Sequence, residues 1–411
     1  VVNGVNATGS GLGPEARIKS QPVYEEETMA DFLCPAVNFI GKGTVAETGP
    51  RAAMFGTKAL IVCDGFLAKL EGGPVAKVKD SLQQAGVKFA VYDGVEPNPK
   101  DTNVADGLKV YQKEGCDLIV TVGGGSSHDC GKGIGIAATH DGDLYEDYAG
   151  IEMLTNELPP IIAVNTTAGT ASEVTRHCVI TNTKKKVKFV IVSWRNLPKV
   201  SINDPELMVA KPAGLTAATG MDALTHAVEC YVTKAPNHVT DAVAIHAIKL
   251  IGKYLRRAVA NGEDIEAREG MAYGSLLAGM AFNNAGLGYV HAMAHQLGGL
   301  LDMPHGIANA VLLPHIERFN LMVNPEKFAD IAVALGENIE GLGKMEAAEK
   351  AIDAIVRLSK DVGIPQHLAD LGVKESDIEP MAKLAMQDGN AGTNPRIGKV
   401  EDIIQLFKNA M

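Results

Sequence analysis

The chain is poor in aromatic residues. They make up 5% of its 411 residues, and Trp194 is its single tryptophan. Positive charge is also in deficit. Lys and Arg number 38 against 49 Asp and Glu, a formal charge of −11. A general nucleic-acid binder carries the opposite balance. No apolar run is long enough to span a bilayer, and no signal-peptide core opens the sequence. The six cysteines (Cys34, Cys63, Cys116, Cys130, Cys178, Cys230) include no CxxC pair. That scatter argues against a disulfide framework, a zinc ribbon or an Fe–S cluster. It points to a reduced, cytoplasmic setting.

What remains is globular in character: 46% apolar and 21% charged residues, with 44 glycines. The length suits one large domain or two ordinary ones. Residues 1–28 differ from the rest. They hold Gly4, Gly9, Gly11, Gly13 and Pro14, then Glu25 to Glu27, without apolar periodicity. They read as a flexible extension or tag-like leader. From 29 to 211, apolar runs alternate with amphipathic stretches. Residues 58–63, 87–92, 117–122 and 160–164 read as buried strands, and 75–85 and 102–114 as helices. This predicts an α/β, Rossmann-like domain whose parallel sheet is covered on both faces. After Pro212 helical periodicity takes over, at 214–232, 239–260, 265–283, 287–299, 325–336, 345–362 and 375–386. An all-α domain over 212–411 is expected, with a ligand cleft between the two.

Gly123-Gly124-Gly125-Ser126 follows the strand DLIVTV directly, and a helix of small residues comes next. Such a turn lets a backbone approach a pyrophosphate, and the helix N-terminus offers free N–H groups. The spacing is neither GxGxxG nor a P-loop. A plain tight turn is the other reading. Asp64 ends the first strand, where a carboxylate suits a ribose diol or, equally, a helix N-cap. Thr166-Thr167-Ala168-Gly169-Thr170 follows the strand at 160–164 in the same manner.

His291, His295, His305 and His315 fall within one short stretch. Asp222 and His226 stand at i,i+4 in the apolar segment MDALTHAVE, as do His291 and His295 in YVHAMAHQLGG. That spacing puts each pair on one helix face. One carboxylate and three imidazoles make a ligand set for Fe²⁺ or Zn²⁺. Four imidazoles compete for three places. Either His295 or His305 is the spare, free to carry a proton. His305 and His315 each follow a proline and are expected at turns, with His315 structural.

The segments GMDALTHAVE (220–229) and GLGYVHAMAHQLGGLLDMPHG (286–306) resemble the two signatures of iron-containing, group III alcohol dehydrogenases. GGGSSHD (123–129), TTAGTASEVT (166–175) and DPELM (204–208) are similar to the same family. The resemblance runs from about residue 29 to 411. It leans toward the NAD-dependent branch acting on methanol, 1,3-propanediol and lactaldehyde or 1,2-propanediol.

The resemblance implies roles. Asp222, His226, His291 and His305 would hold the metal, Fe²⁺ or else Zn²⁺ or another divalent ion. His295 would be the unliganded histidine near the nicotinamide. Asp64, Asn98, Gly124, Gly125, Ser126, Thr166, Thr167, Thr170 and Lys188 would contact NAD, with Asp64 disfavouring NADP. Phe282, His177 and Asn390 would line the substrate pocket, the last two replacing other residues usual in the family. His177 would bring to the pocket a group titrating near neutral pH. Ala171 replaces a family glycine. The implied activity is hydride transfer between a short-chain primary alcohol or diol and NAD, giving an aldehyde. No nucleic acid or membrane partner is implied, and a homo-oligomer is, from a dimer up to a decamer. An NAD- and metal-dependent lyase of the dehydroquinate-synthase type is the alternative, and a non-catalytic NAD-binding scaffold stands behind it.

Overall fold

The computed structural model describes residues 31–209 and 211–411. The reading of residues 1–28 as an extension lies outside the described residues. Phe32–Met411 form one compact unit.

Its first part runs β1 (Val37–Ile40), α1 (Thr48–Phe55), β2 (Lys58–Asp64), α2 (Gly65–Lys69) and α3 (Pro74–Gln84). Then come β3 (Lys88–Val95), α4 (Asp101–Glu114), β4 (Leu118–Gly123), α5 (Gly125–Thr139) and β5 (Gly150–Ile151). It ends with β6 (Ile161–Asn165), β7 (His177–Asn182), β8 (Val187–Val192) and β9 (Val200–Asn203). Six strands form one sheet in the order β1-β9-β6-β4-β2-β3, every neighbouring pair parallel. Strands β5, β8 and β7 make a smaller sheet, with β7 and β8 antiparallel.

The large sheet is apolar on both faces, which is why its strands read as unbroken hydrophobic runs. On one face Ala59, Ile61 and Cys63 of β2 pack with Ala52 of α1 and Val75, Val78 and Leu82 of α3. On the other, Leu60 and Val62 pack with Val104 of α4 and Ile134 of α5. The alternation follows from the strand period of two. The chain passes outward from β2 to β3, then crosses to the other side of β2 to form β4. Next to β2 the winding therefore reverses. In open α/β sheets a ligand crevice forms at the carboxyl ends of the strands flanking such a reversal. Asp64 and the glycine turn lie at those ends.

The second part is helical: α6 (Ala213–Val232), α7 (His238–Ala260), α8 (Ile265–Ala285), α9 (Tyr289–Leu301) and α10 (His305–Asn320). It continues through α11 (Pro325–Ala334), α12 (Lys344–Asp361), α13 (Glu375–Ala385) and α14 (Val400–Asn409). From Gly220 to Val232 every residue of α6 is buried. A helix with no polar face must lie inside, and α6 packs against α7, α8 and α10.

The sequence reading leaves α10 and α14 unassigned. His305 is the first residue of α10, as is compatible with the turn expected after Pro304. His315 is not at a turn: it lies within α10, which continues through Pro314. Proline lacks the N–H that would bond the carbonyl of Ala310, but its fixed φ is helical, so tertiary packing carries the helix across it. Among the described residues no helix is long and apolar enough to cross a membrane.

Candidate active site

The N-terminus of α5 abuts the carboxyl end of β4. Its cap residue is Gly124, which supplies no side-chain cap. Gly123 holds φ +149, and a Cβ on it would fall 2.3 Å from Ser127 Oγ. A Cβ on Gly124 would come within 2.9 Å of Thr167 Oγ1, and one on Gly125 within 2.8 Å of Thr170 Oγ1. The glycines thus let the segment after β6 press against the turn. Ser126 lies in the first turn of α5, and Thr166 is buried with its Oγ1 unpartnered among the described residues. Lys132 is fully buried in α5. Its Nζ donates to the carbonyls of Ser172 (2.8 Å), Thr175 (2.9 Å) and His177 (2.7 Å). That cation fixes the 172–177 segment, a role the sequence reading missed. Ala171, where the resemblance implies a glycine, is held at φ 51.

Asp64 caps α2, its Oδ1 accepting from the N–H groups of Phe66 and Leu67, both at 2.9 Å. The cap alternative is therefore realised. Asn98 stands in the loop between β3 and α4, and its Oδ1 accepts from Lys188 Nζ of β8 at 2.8 Å.

The polar groups of the helical part converge. Asp222 and His226 on α6, His291 on α9 and His305 on α10 offer ligand atoms within 4.8 Å of one another. Burial holds His226 below the usual imidazole value, and His291 well below it with help from neighbouring rings. His305 falls to about 4, from burial first. All three are neutral at pH 7 with lone pairs available. Asn309 Nδ2 lies 2.7 Å from Asp222 Oδ1 and 3.1 Å from both His291 Nε2 and His305 Nε2. An amide nitrogen carries two hydrogens, so it cannot serve three acceptors. His226 Nδ1 is buried and unpartnered among the described residues. The centre is rich in lone pairs and short of protons, which fits a cation.

Two carboxylates behind the histidines escaped the sequence reading. Glu229 Oε2 meets His291 Nδ1 at 2.5 Å, and its Oε1 accepts from Val290 N at 2.7 Å. Burial pushes the Glu229 carboxyl well up, and the Glu317 charge adds to this. Its signal was present: Asp222, His226 and Glu229 are spaced i, i+4, i+7 on one face of α6. Asp388 Oδ2 lies 2.7 Å from His295 Nδ1. Burial works against the Asp388 charge, but His295 and the Asn390 donors outweigh it and leave its pKa lowered. Asn390 donates to the same carboxylate through N (2.9 Å) and Nδ2 (3.0 Å). His295 also stacks on His305, with centroids 5.5 Å apart.

Phe282 of α8 stacks on His226, centroids 4.3 Å apart at 20°, and the His177 ring lies 5.8 Å from it. His177 does not titrate near neutral pH. Burial drives it down to about 3, the neighbouring Arg176 and Lys132 charges add to this, and among the described residues no carboxylate pairs with it.

A sheet with a glycine turn at its winding reversal is thus joined to helices bearing a cluster of one carboxylate and three imidazoles. Residues 35–205 match the family described as iron-containing alcohol dehydrogenase. Residues 216–411 match the Fe-containing alcohol dehydrogenase family, C-terminal. The 1,3-propanediol dehydrogenase of Klebsiella pneumoniae is 67% identical over 383 residues, 93% of this chain and 99% of that protein. The NAD-dependent methanol dehydrogenase of Bacillus methanolicus is 50% identical, covering 93% of this chain and 100% of its own length. A crystal structure of a 1,3-propanediol oxidoreductase superposes with a TM-score of 0.92 at 67% identity, over 93% of this chain and 100% of that one. The chain belongs to the iron-containing alcohol dehydrogenase family. The comparisons give the lyase alternative no support.

Proposed function

We propose that the protein interconverts a short-chain primary alcohol or diol and its aldehyde, using NAD and a divalent metal, in a cleft between residues 29–211 and 212–411. Asp222, His226, His291 and His305 would hold the metal. When bound, that ion, Fe²⁺ or Zn²⁺, supplies Lewis acidity toward the substrate oxygen, and NAD supplies the hydride acceptor. The observation that carries this reading is the convergence of four donor atoms within 4.8 Å.

The chain's own residues divide the remaining work. Gly124, Gly125 and Ser126 would receive the pyrophosphate at the N-terminus of α5, where free N–H groups and the dipole favour an anion. Thr166, Thr167, Thr170, Asn98 and Lys188 would hold the rest of the dinucleotide, and Asp64 its adenosine ribose. His295 would move the hydroxyl proton. Asp388 accepts from its Nδ1, which leaves Nε2 as the basic atom. Phe282 would wall the substrate slot, and neutral His177 and Asn390 would give it polar edges. The six cysteines are free, which supports a reduced, cytoplasmic setting. The family resemblance supports a homo-oligomer.

The test is NADH formation from a panel of short alcohols and diols, and NADH consumption with the aldehydes, on enzyme of measured metal content. Turnover in both directions is expected. No turnover by metal-loaded enzyme with any of them overturns the reading.

A further inference from the structure

Asn98, Lys188 and Asp302 form a chain of hydrogen bonds that joins the sheet to the helix carrying His291 and His295. Lys188 Nζ donates to Asn98 Oδ1 at 2.8 Å, and Asn98 Nδ2 donates to Asp302 Oδ1 at 2.9 Å. The amide is thereby oriented. Its oxygen faces an ammonium and its nitrogen faces a carboxylate, so turning it over would oppose both charges. The lysine tip also reaches α9. A Cβ on Gly298 would lie 3.4 Å from Lys188 Nζ, which places the ammonium beside α9.

The backbone at both ends of the chain is unusual. Asn98 is held at φ 52 and Asp302 at φ 50, in the left-handed region. Non-glycine residues stay there only when their surroundings require it, and such positions gather at functional sites. Asn98 is also fixed between Pro97 and Pro99, and the carbonyl of Pro99 accepts from Thr181 N of β7 at 2.8 Å. Asp302 ends α9 three residues before His305, the first residue of α10. Met303 and Pro304 are all that separates it from a member of the donor cluster. Lys188 is held below the usual lysine value by burial, with Asp302's charge opposing this.

We propose that Asp302 is a positioning residue for the dinucleotide. It holds Asn98, and through Asn98 the Lys188 ammonium, in place before the cofactor arrives, and it ties that contact to the segment bearing His305. This rests on the reading above that Asn98 and Lys188 contact NAD. Pre-ordering spares the cofactor the cost of arranging two polar side chains and a loop. Without an acceptor at position 302 the amide is free to turn and no longer holds the half-buried ammonium.

Two variants separate the carboxylate from the backbone. Asp302→Gly removes the acceptor while permitting φ 50. Asp302→Asn keeps an Oδ1 acceptor, and asparagine tolerates the left-handed region. NADH affinity is read by nicotinamide fluorescence on metal-loaded holoenzyme, beside metal content and thermal midpoint. Asp302→Gly is expected to weaken NADH binding by about tenfold and to raise KM for NAD with kcat at saturating NAD retained. Metal content and midpoint should stay at wild-type levels. Asp302→Asn should bind NADH within about twofold of wild type. NADH binding by Asp302→Gly equal to wild type overturns the proposal. So does equal damage in both variants with loss of metal, which marks a structural role. Wild-type enzyme that binds no NADH overturns the underlying cofactor reading instead, and is told apart by that control.

Discussion

Glu229 Oε2 lies 2.5 Å from His291 Nδ1, and both side chains are buried. The contact holds His291 by Nδ1, whichever of the two groups carries the shared proton. With Nδ1–H turned to the carboxylate, Nε2 faces the cluster with its lone pair. Carboxylates placed behind ligating histidines orient the ring and raise its basicity.

Glu229→Gln keeps the shape but offers one acceptor oxygen, where Val290 N takes one and a metal-ligating His291 needs another for Nδ1–H. We expect metal affinity to fall by about 10- to 100-fold, measured by titration of the metal-stripped protein. His291→Ala and His305→Ala should lose the ion and the activity together. Full activity in a verified metal-free His291→Ala protein would sink the ligand assignment.

Asp64 has two tasks in this account, and they separate by substitution. Its cap on α2 is present in the structure, while its contact with ribose is the proposal. Glycine at an N-cap position is only a few tenths of a kcal/mol worse than aspartate, whereas alanine loses about 1 kcal/mol. Asp64→Gly should therefore admit NADP, whose 2′-phosphate the carboxylate would repel, with little change in thermal midpoint. Wild-type enzyme that already uses both cofactors equally contradicts the role given to Asp64.

Glu317 is wholly buried in α10, and burial pushes its carboxyl up to about 8. The folded state then keeps a proton that the unfolded chain gives up above about pH 4.3. Stability contributed by this group is complete below that value and is lost as pH rises toward 8, by up to about 1.4 kcal/mol per pH unit. Glu317→Gln needs no proton. Its midpoint relative to wild type should therefore rise steadily from pH 5 to about pH 8 in urea denaturation. A constant difference across that range means that Glu317 is ionised in the folded protein.

The parts legible in the sequence were those with a local period. The runs at β2, β4 and β6 are apolar because both sheet faces are covered. The Asp222–His226 and His291–His295 pairs stand out because i,i+4 spacing sets two polar groups on one face of an apolar helix. What escaped depends on distant partners. Asp388 lies 93 positions from the His295 it bonds. Asn309 looks like an ordinary helical asparagine until α6, α9 and α10 meet around it. The β7–β8 pair was missed for a different reason. Its strands are half-exposed and joined through Lys184, Lys185 and Lys186, with no Asn-Gly or Asp-Gly turn to mark a hairpin. Pro314 misled in α10, since a proline inside a helix reads as its end.

Phe282 lies between His226 and His177, stacked on the first and tilted to the second. A ring there would limit the length of a substrate whose oxygen sits at the donor cluster. Short alcohols and diols of about two to four carbons should react best, with neighbours in the series differing modestly, because one methylene is worth roughly 1–3 kcal/mol. Phe282→Ala should raise kcat/KM for longer or aryl alcohols relative to propanol. It also empties a buried site, at a cost of about 3–5 kcal/mol, so Phe282→Leu serves as the milder companion and should shift the ratio in the same direction. A wild-type kcat/KM already highest on long-chain or aryl alcohols removes Phe282 from this role. His177 acts as a neutral group, since burial holds it at about 3. The ratio of diol to monoalcohol activity should then stay flat between about pH 6 and 8. His177→Phe removes the polar edge and should weaken diols more than monoalcohols. An equal loss on both would show that the ring does not face the substrate's second hydroxyl.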